Sequence, residues 1–150
     1  MGLATGIMLE SDLIVAETGT QIQITETSRG LGGARYWGLT QFRSGGAFGT
    51  EIALTGRFFS ADEAFAAGML NRLAPEGTHL EAARELALEV CKNPPLSVRA
   101  TVRTRRWHMQ RLTSEIDTLN APLKLYLTED FKEAASAFAE KRETKPFKGR

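Results

Sequence analysis

Hydrophobic and polar positions repeat with two different periods along the 150 residues, and the change of period predicts the elements. Leu13-Ile14-Val15-Ala16 is a short β-branched apolar run closed by Thr18-Gly19, the pattern of a buried strand. Thr20-Gln21-Ile22-Gln23-Ile24-Thr25 alternates strictly, which predicts a strand with one exposed face. Ahead of both, Leu3 to Leu9 reads as a helix, with Gly2 and Gly6 at or near its start. From residue 34 the period becomes helical, with one helix over Ala34–Phe42 and another over Ala47–Leu54 that Thr55-Gly56 breaks. Ser60-Ala61-Asp62-Glu63 is a capping box, in which the serine hydroxyl accepts from an orphan amide while the glutamate reaches back. The helix it opens stops at Gly68. A stripe of Leu80, Ala83, Ala87, Val90 and Cys91 predicts the next helix. Asn93-Pro94-Pro95 ends it and starts another, with Asn93 as cap and Pro94 as first helical residue. Further stripes run Ile116, Leu119, Leu123, Tyr126 and Phe131, Ala135, Phe138. The first quarter is thus strand-rich and the last half almost all helix.

Charge removes some functions from consideration. Lys+Arg 19 against Asp+Glu 18 leaves a net charge of +1, too small to drive non-specific nucleic-acid binding. Between Val90 and Ser114 there is no acidic residue, and Arg99, Arg103 and Arg106 share one helix face. Trp107 is the only aromatic residue in that stretch, so it offers no stacking platform, and a solvated face is the simpler reading than a nucleic-acid module. Cys91 is the single cysteine, which excludes an internal disulfide, leaves no Cys/His set for a metal, and fits a reducing, cytoplasmic setting. No uncharged run approaches the roughly 18 residues of a membrane span. Glu10 and Asp12 in MGLATGIMLESD argue against a signal peptide.

Candidate chemistry is sparse. His79 and His108 have no serine or cysteine beside them in a nucleophile motif and read as surface residues. Gly30-Leu31-Gly32-Gly33 has Arg35 where a dinucleotide fingerprint needs its third glycine, so it reads as a turn that lets the backbone pass close to something. Glu26 lies just past the alternating strand, among uncharged Thr25, Thr27 and Ser28. A carboxylate there is placed for proton transfer, although a solvated loop glutamate fits the same pattern.

Three separated segments, in order and spacing, resemble the crotonase superfamily, the enoyl-CoA hydratase/isomerase group. They are Gly2 to Asp12; Leu54-Thr55-Gly56 through Ser60-Ala61-Asp62-Glu63-Ala64 to Ala67-Gly68-Met69-Leu70-Asn71-Arg72; and Phe138-Ala139-Glu140-Lys141-Arg142 with Pro146-Phe147-Lys148-Gly149. The resemblance covers the whole chain but only the C-terminal part of such an enzyme, since the chain opens inside the family's glycine motif. It implies an α/β fold, the C-terminal part of a ββα spiral (residues 1–57) followed by a helical trimerisation region (residues 58–150). On that reading the isolated chain has open strand edges and folds poorly alone.

The resemblance also implies an activity, lyase or isomerase chemistry on an acyl-CoA in fatty acid metabolism, with no cofactor because the coenzyme A thioester is itself the substrate. Charge developing on the thioester oxygen is met by backbone amides, one of which maps to Leu3, where the family carries glycine. Of the two glutamates that hydratases use, the second falls on Glu26 and the first on Gly6, which has no side chain. Glu10, one turn further along the helix, points from a different level and does not substitute. Isomerases work with one carboxylate, which Glu26 supplies. Gly2, Leu3, Gly30, Phe138 and Lys141 are the implied substrate-binding positions, the last two beside the nucleotide of an adjacent subunit. The partners implied are acyl-CoA and further copies, as a homotrimer or dimer of trimers, with no nucleic acid and no membrane. Gly6 and Leu3 leave a second reading open: a non-catalytic crotonase-like assembly fragment.

Overall fold

The computed structural model describes residues 2–150. Its first helix, α1 (Leu3–Glu10), starts on Gly2, whose φ of 60° turns the chain into the helix. Thr5 and Leu9, one turn apart, are its buried face, while Leu3 and Ile7 point outward. Arg43 Nε donates to the Leu9 carbonyl at 2.7 Å, a cation at the negative end of the helix. Burial lowers that guanidinium to about 10, the nearby Arg105 pushes it the same way, and Asp12 opposes both.

The strands are short. β1 (Val15–Glu17) pairs in parallel with β4 (Arg72–Ala74), and β2 (Gln21–Gln23) pairs antiparallel with β3 (Phe58–Ser60). Each strand therefore has one partner and one edge without a ladder. In the second pair Ile22 lies opposite Phe59, and both side chains point into the core. The first pair is extended by Asn71, whose side-chain oxygen accepts from the Ile14 amide at 2.8 Å while its own amide donates to the Ile14 carbonyl at 2.9 Å. Both predicted strands are real but shorter than their patterns. Leu13 is exposed rather than buried, since the ladder begins only at Val15.

Helices α2 (Ala34–Arg43) and α3 (Gly46–Thr55) follow within a residue or two of their predicted bounds, and α3 ends on a left-handed Gly56. The capping box at the start of α4 (Ala61–Ala66) is complete: the Glu63 amide donates to Ser60 Oγ at 3.1 Å, and the Ser60 amide donates to Glu63 Oε2 at 2.9 Å. One core joins these pieces: Leu9, Ile14, Ile22, Ile24, Leu39, Ile52, Phe59, Ala64, Met69 and, from a later helix, Met109. The expected boundary between residues 57 and 58 thus falls inside a single packed unit, crossed by both strand pairs.

The remaining helices are α5 (His79–Cys91), α6 (Pro95–Asn120) and α7 (Glu129–Ala139). Here several expectations need correction. Helix α6 begins at Pro95, with Pro94 as its extended cap (ψ 123°), because the residue before a proline is driven out of the helical region. Asn93 instead closes α5, donating from its side chain to the carbonyls of Glu89 and Val90. In α5 the inward face is Ala82, Ala83, Leu86 and Val90, leaving Leu80, Ala87 and Cys91 exposed. Ile116 is buried, but Leu119 of the same helix is exposed, and α6 ends at Asn120, so Leu123 and Tyr126 do not continue its stripe and are exposed as well. In α7 the buried residues are Ala134 and Ala137, one position away from the predicted Ala135 and Phe138. Phe138 is 66% exposed.

Candidate active site

The site is built where α1, the loop after β2 and α2 meet. Helix α1 presents its first turn to solvent, with the Leu3 side chain 79% exposed beside it. The first amides of any α-helix lack intrahelical partners and carry the positive end of the dipole, so this turn can receive a developing negative charge. Thr5 ties it in place: its hydroxyl donates to the Gln23 carbonyl at the end of β2, at 3.0 Å.

Three residues beyond that carbonyl stands Glu26, half-buried, opening the 3-10 turn Thr27–Arg29. Its own carbonyl accepts from the amides of Arg29 (3.0 Å) and Leu31 (2.9 Å), so the backbone that carries the carboxylate is doubly fastened. The charge of Glu26 is felt by the phenol of Tyr36, a half-buried residue of α2. Burial first, then the charge of Glu26, push the Tyr36 phenol up. Its hydroxyl lies 3.2 Å from where a Cβ on Gly6 would stand. Tyr36 and Gly6 are therefore neighbours, which no spacing in the sequence announces.

Glu10 is committed elsewhere. It accepts from Arg35 at 2.9 Å, and Arg35 reaches Asp117 of α6 at 2.6 Å. This two-sided ion pair aligns α2 against α1 and α6 directly beside Tyr36. The glycine loop has an internal reason. A Cβ on Gly33 would fall 2.2 Å from Thr27 Oγ1, which donates to the Ala53 carbonyl at 2.7 Å. A Cβ on Gly30 would fall 3.0 Å from the backbone of Phe131 in α7. The close approach expected at Gly30 is thus to the protein's own seventh helix.

The two C-terminal candidates lie apart from one another in role. Phe138 receives the Arg29 guanidinium over its ring, 4.0 Å from the centroid, which places it against the turn that begins at Glu26. Lys141 takes a left-handed φ of 54°, is exposed, and donates its amide to the Phe138 carbonyl at 3.3 Å. The basic face of α6 is interrupted: Arg105 and Arg106 both engage Asp12, whose carboxyl Arg106 above all holds below its usual range. His79 pairs with Glu17, which His79 and then the Gly77 amide hold below the usual carboxylate range. Among the described residues no three His, Cys, Asp or Glu side chains gather as a metal site, and no helix is long and apolar enough to cross a membrane.

A family model described as enoyl-CoA hydratase/isomerase matches residues 2–150. The chain belongs to this family. The enoyl-CoA hydratase EchA19 of Mycobacterium tuberculosis is 38% identical over 95 residues, 61% of this chain and 35% of that protein. The short-chain-enoyl-CoA hydratase of Clostridium acetobutylicum is 28% identical over 158 residues, covering 100% of this chain and 59% of its own. The crystal structure of carnitinyl-CoA hydratase from Mycobacterium avium superposes with a TM-score of 0.78 at 30% identity, over 97% of this chain and 58% of that one. The helix-rich α/β architecture is accordingly crotonase-like, and the chain spans between about a third and three fifths of the length of these hydratase/isomerase relatives.

Proposed function

We propose that this chain contributes the acid/base half of an acyl-CoA site that stabilises an enolate and moves a proton. The observation that carries the reading is the placement of Glu26, half-buried on a doubly fastened turn, just past the strand end that Thr5 of α1 holds through the Gln23 carbonyl. The family supplies the substrate class, a coenzyme A thioester, with no further cofactor. Removing a proton next to the thioester carbonyl places negative charge on its oxygen. The Leu3 amide, at the positive end of α1, is the donor that faces that charge, and loss of one such donor typically costs about 2.7–4 kcal/mol. Glu26 accepts the proton from one carbon and returns it to another, which moves the double bond with atoms and charge balanced. With glycine at position 6 the site has one carboxylate, so isomerisation or a related enolate reaction is favoured over fast water addition.

Assembly belongs to the same proposal. Phe138, Lys141, Leu119 and Tyr126 are exposed on the C-terminal helices and their connections, and a homotrimer or dimer of trimers in the cytoplasm would cover them, with Phe138 and Lys141 near the nucleotide of a neighbouring copy. Gly2 and Gly30 are its remaining substrate-side positions, Gly2 through the turn that starts α1. A second reading, a non-catalytic assembly unit, draws on two observations: Gly6 lacks a carboxylate, and the exposed Leu3 side chain narrows the approach to its own amide.

The test is Glu26→Gln, with 2-enoyl- and 3-enoyl-CoA as probes. General acid–base catalysis is worth about 10²–10⁴-fold, so turnover is expected to fall at least ~100-fold while acyl-CoA affinity holds within a few-fold. Turnover within a few-fold of the parent overturns the role of Glu26. Acyl-CoA binding with no turnover in the parent establishes the assembly reading instead.

A further inference from the structure

We infer that Phe138 is a positioning residue for Glu26: its ring holds the Arg29 guanidinium away from the carboxylate, so that the base stays unpaired with that cation and free to take a proton. The inference rests on the acid/base reading of Glu26.

It begins with the turn. Glu26 has helical φ and ψ (−59° and −50°) and leads directly into the 3-10 turn Thr27–Arg29, and the Arg29 amide donates back to the Glu26 carbonyl at 3.0 Å. In a 3-10 turn, side chains three residues apart eclipse one another. Glu26 and Arg29 therefore leave the backbone on the same side, a carboxylate and a cation at a spacing that ordinarily makes an ion pair. That pair is not made. Among the described residues Arg29 forms no ion pair with any carboxylate. Its guanidinium lies over the Phe138 ring instead, 4.0 Å from the centroid.

Helix α7 brings the ring there. Thr128 caps its start, the hydroxyl accepting from the Phe131 amide at 3.1 Å. Beside that amide passes Gly30, the left-handed residue (φ 70°) that closes the turn. A Cβ on it would stand 3.0 Å from both the nitrogen and the Cα of Phe131, so only glycine lets helix and turn approach so closely. Phe138 lies two helical turns beyond Phe131, on the same face, and that face meets Gly30 at one end and Arg29 at the other. Across the turn, Thr27 Oγ1 donates to the Ala53 carbonyl of α3 at 2.7 Å, which holds the turn from its far side.

The other charges near the turn are engaged elsewhere. Glu10 of α1 accepts from Arg35, Glu51 of α3 from Arg57, and on α7 Asp130 and Glu133 take the tail amides and Arg142. The Tyr36 phenol of α2 is uncharged below its raised titration. Arg29, in the same turn, is the cation to be kept off the base. A guanidinium beside a carboxylate favours the ionised form, which weakens it as a base and occupies oxygen that should receive the substrate proton. An aromatic face holds the same cation and leaves the carboxylate alone.

Phe138→Leu removes the ring at an exposed residue, so the fold tolerates the change. Released, Arg29 is expected to pair with Glu26. In protein carrying 13C-labelled glutamate, the carboxyl resonance that Glu26→Gln deletes reports Glu26 directly. Its titration should move down by about 1 pH unit in Phe138→Leu, the lower end of what an adjacent arginine does to a carboxylate. The acidic limb of the rate profile should follow, with kcat about 3- to 10-fold lower at neutral pH. Adding Arg29→Met to Phe138→Leu should return both the titration and kcat towards the parent, which neither a damaged fold nor a lost substrate contact at Phe138 would do. A Glu26 titration unmoved by Phe138→Leu, or one that stays low after Arg29→Met, overturns the positioning role. A titration that moves and returns as expected, while Glu26→Gln leaves turnover intact, keeps the diversion of Arg29 and overturns the acid/base reading instead.

Discussion

Residues 2–74 and residues 75–150 hold together by different means. In the first part large side chains are sealed: Phe59, Leu9, Ile24, Leu39, Ile52 and Met69 are each at most 1% exposed, and Phe48 meets Phe59 edge to face at 5.5 Å. In the second part the only buried hydrophobic residues are Met109, Ile116, Ala134 and Ala137. Its fastenings are mostly charged. Arg72 of β4 reaches Glu89 of α5 at 2.9 Å, and the tail after α7 folds back along that helix. There Arg142 pairs with Glu133 at 2.5 Å, the Lys145 amide donates to the same carboxylate at 2.8 Å, and the amides of Lys148 and Gly149 donate to Asp130. Exposed ion pairs contribute about 0–1 kcal/mol each, whereas burying one large apolar side chain contributes about 1.5–3 kcal/mol. The first part therefore sets the geometry of the site, and the second is a surface region whose position depends on many weak contacts.

That contrast is breakable. Phe59→Ala should cost about 3–5 kcal/mol, the usual range for emptying a sealed aromatic site, while Leu119→Ala, at a residue 77% exposed, should stay within about 0.5 kcal/mol. Denaturant melts of both variants read the difference, and equal losses would abolish the distinction between the two parts.

A smaller effect sharpens the contrast at the site itself. Gly33→Ala puts a methyl 2.2 Å from Thr27 Oγ1, which is anchored to the Ala53 carbonyl, so about 1–3 kcal/mol of overpacking is expected. Measured stability equal to the parent would mean that the turn carrying Glu26 yields without resistance.

The smallest effect concerns the tail. Hydrogen bonding to Arg142, then the Lys145 amide, lowers the Glu133 carboxyl to about 2. A carboxyl lowered by folding stabilises the folded arrangement fully above its unfolded range and loses that contribution as pH falls through the folded value. The tail clasp is thus intact at neutral pH and opens between about 4.5 and about 2. Protease sensitivity after Ala139 should rise across that window, and Arg142→Met should produce the open tail already at neutral pH. A tail equally protected in that variant would show that the ion pair is not its fastening.

Much of the local structure was legible because it depends on neighbours in the chain. Ser60 and Glu63 satisfy each other's backbone amides three residues apart, Gly56 and Gly68 take the left-handed conformations that end α3 and α4, and the alternation around Ile22 reports a strand with one sealed face. Stripe reading failed in the second part for a physical reason. Apolar residues at helical spacing mark a face that wants covering, and in α5, α6 and α7 that face is only partly covered within this chain.

The sequence by itself determined the starts and stops of helices, the position of Glu26 at the end of an alternating strand, and a helix opening at Leu3. Each of these is a short-range consequence of backbone hydrogen-bonding needs and side-chain shape. Only the tertiary structure decided that β1 joins β4 across 57 residues, that Gly30 and Gly33 are spaces for Phe131 and Thr27, and that Tyr36 fills the space beside Gly6. Those contacts unite residues far apart in the chain through close packing, and close packing between distant segments leaves no period to be read along either of them.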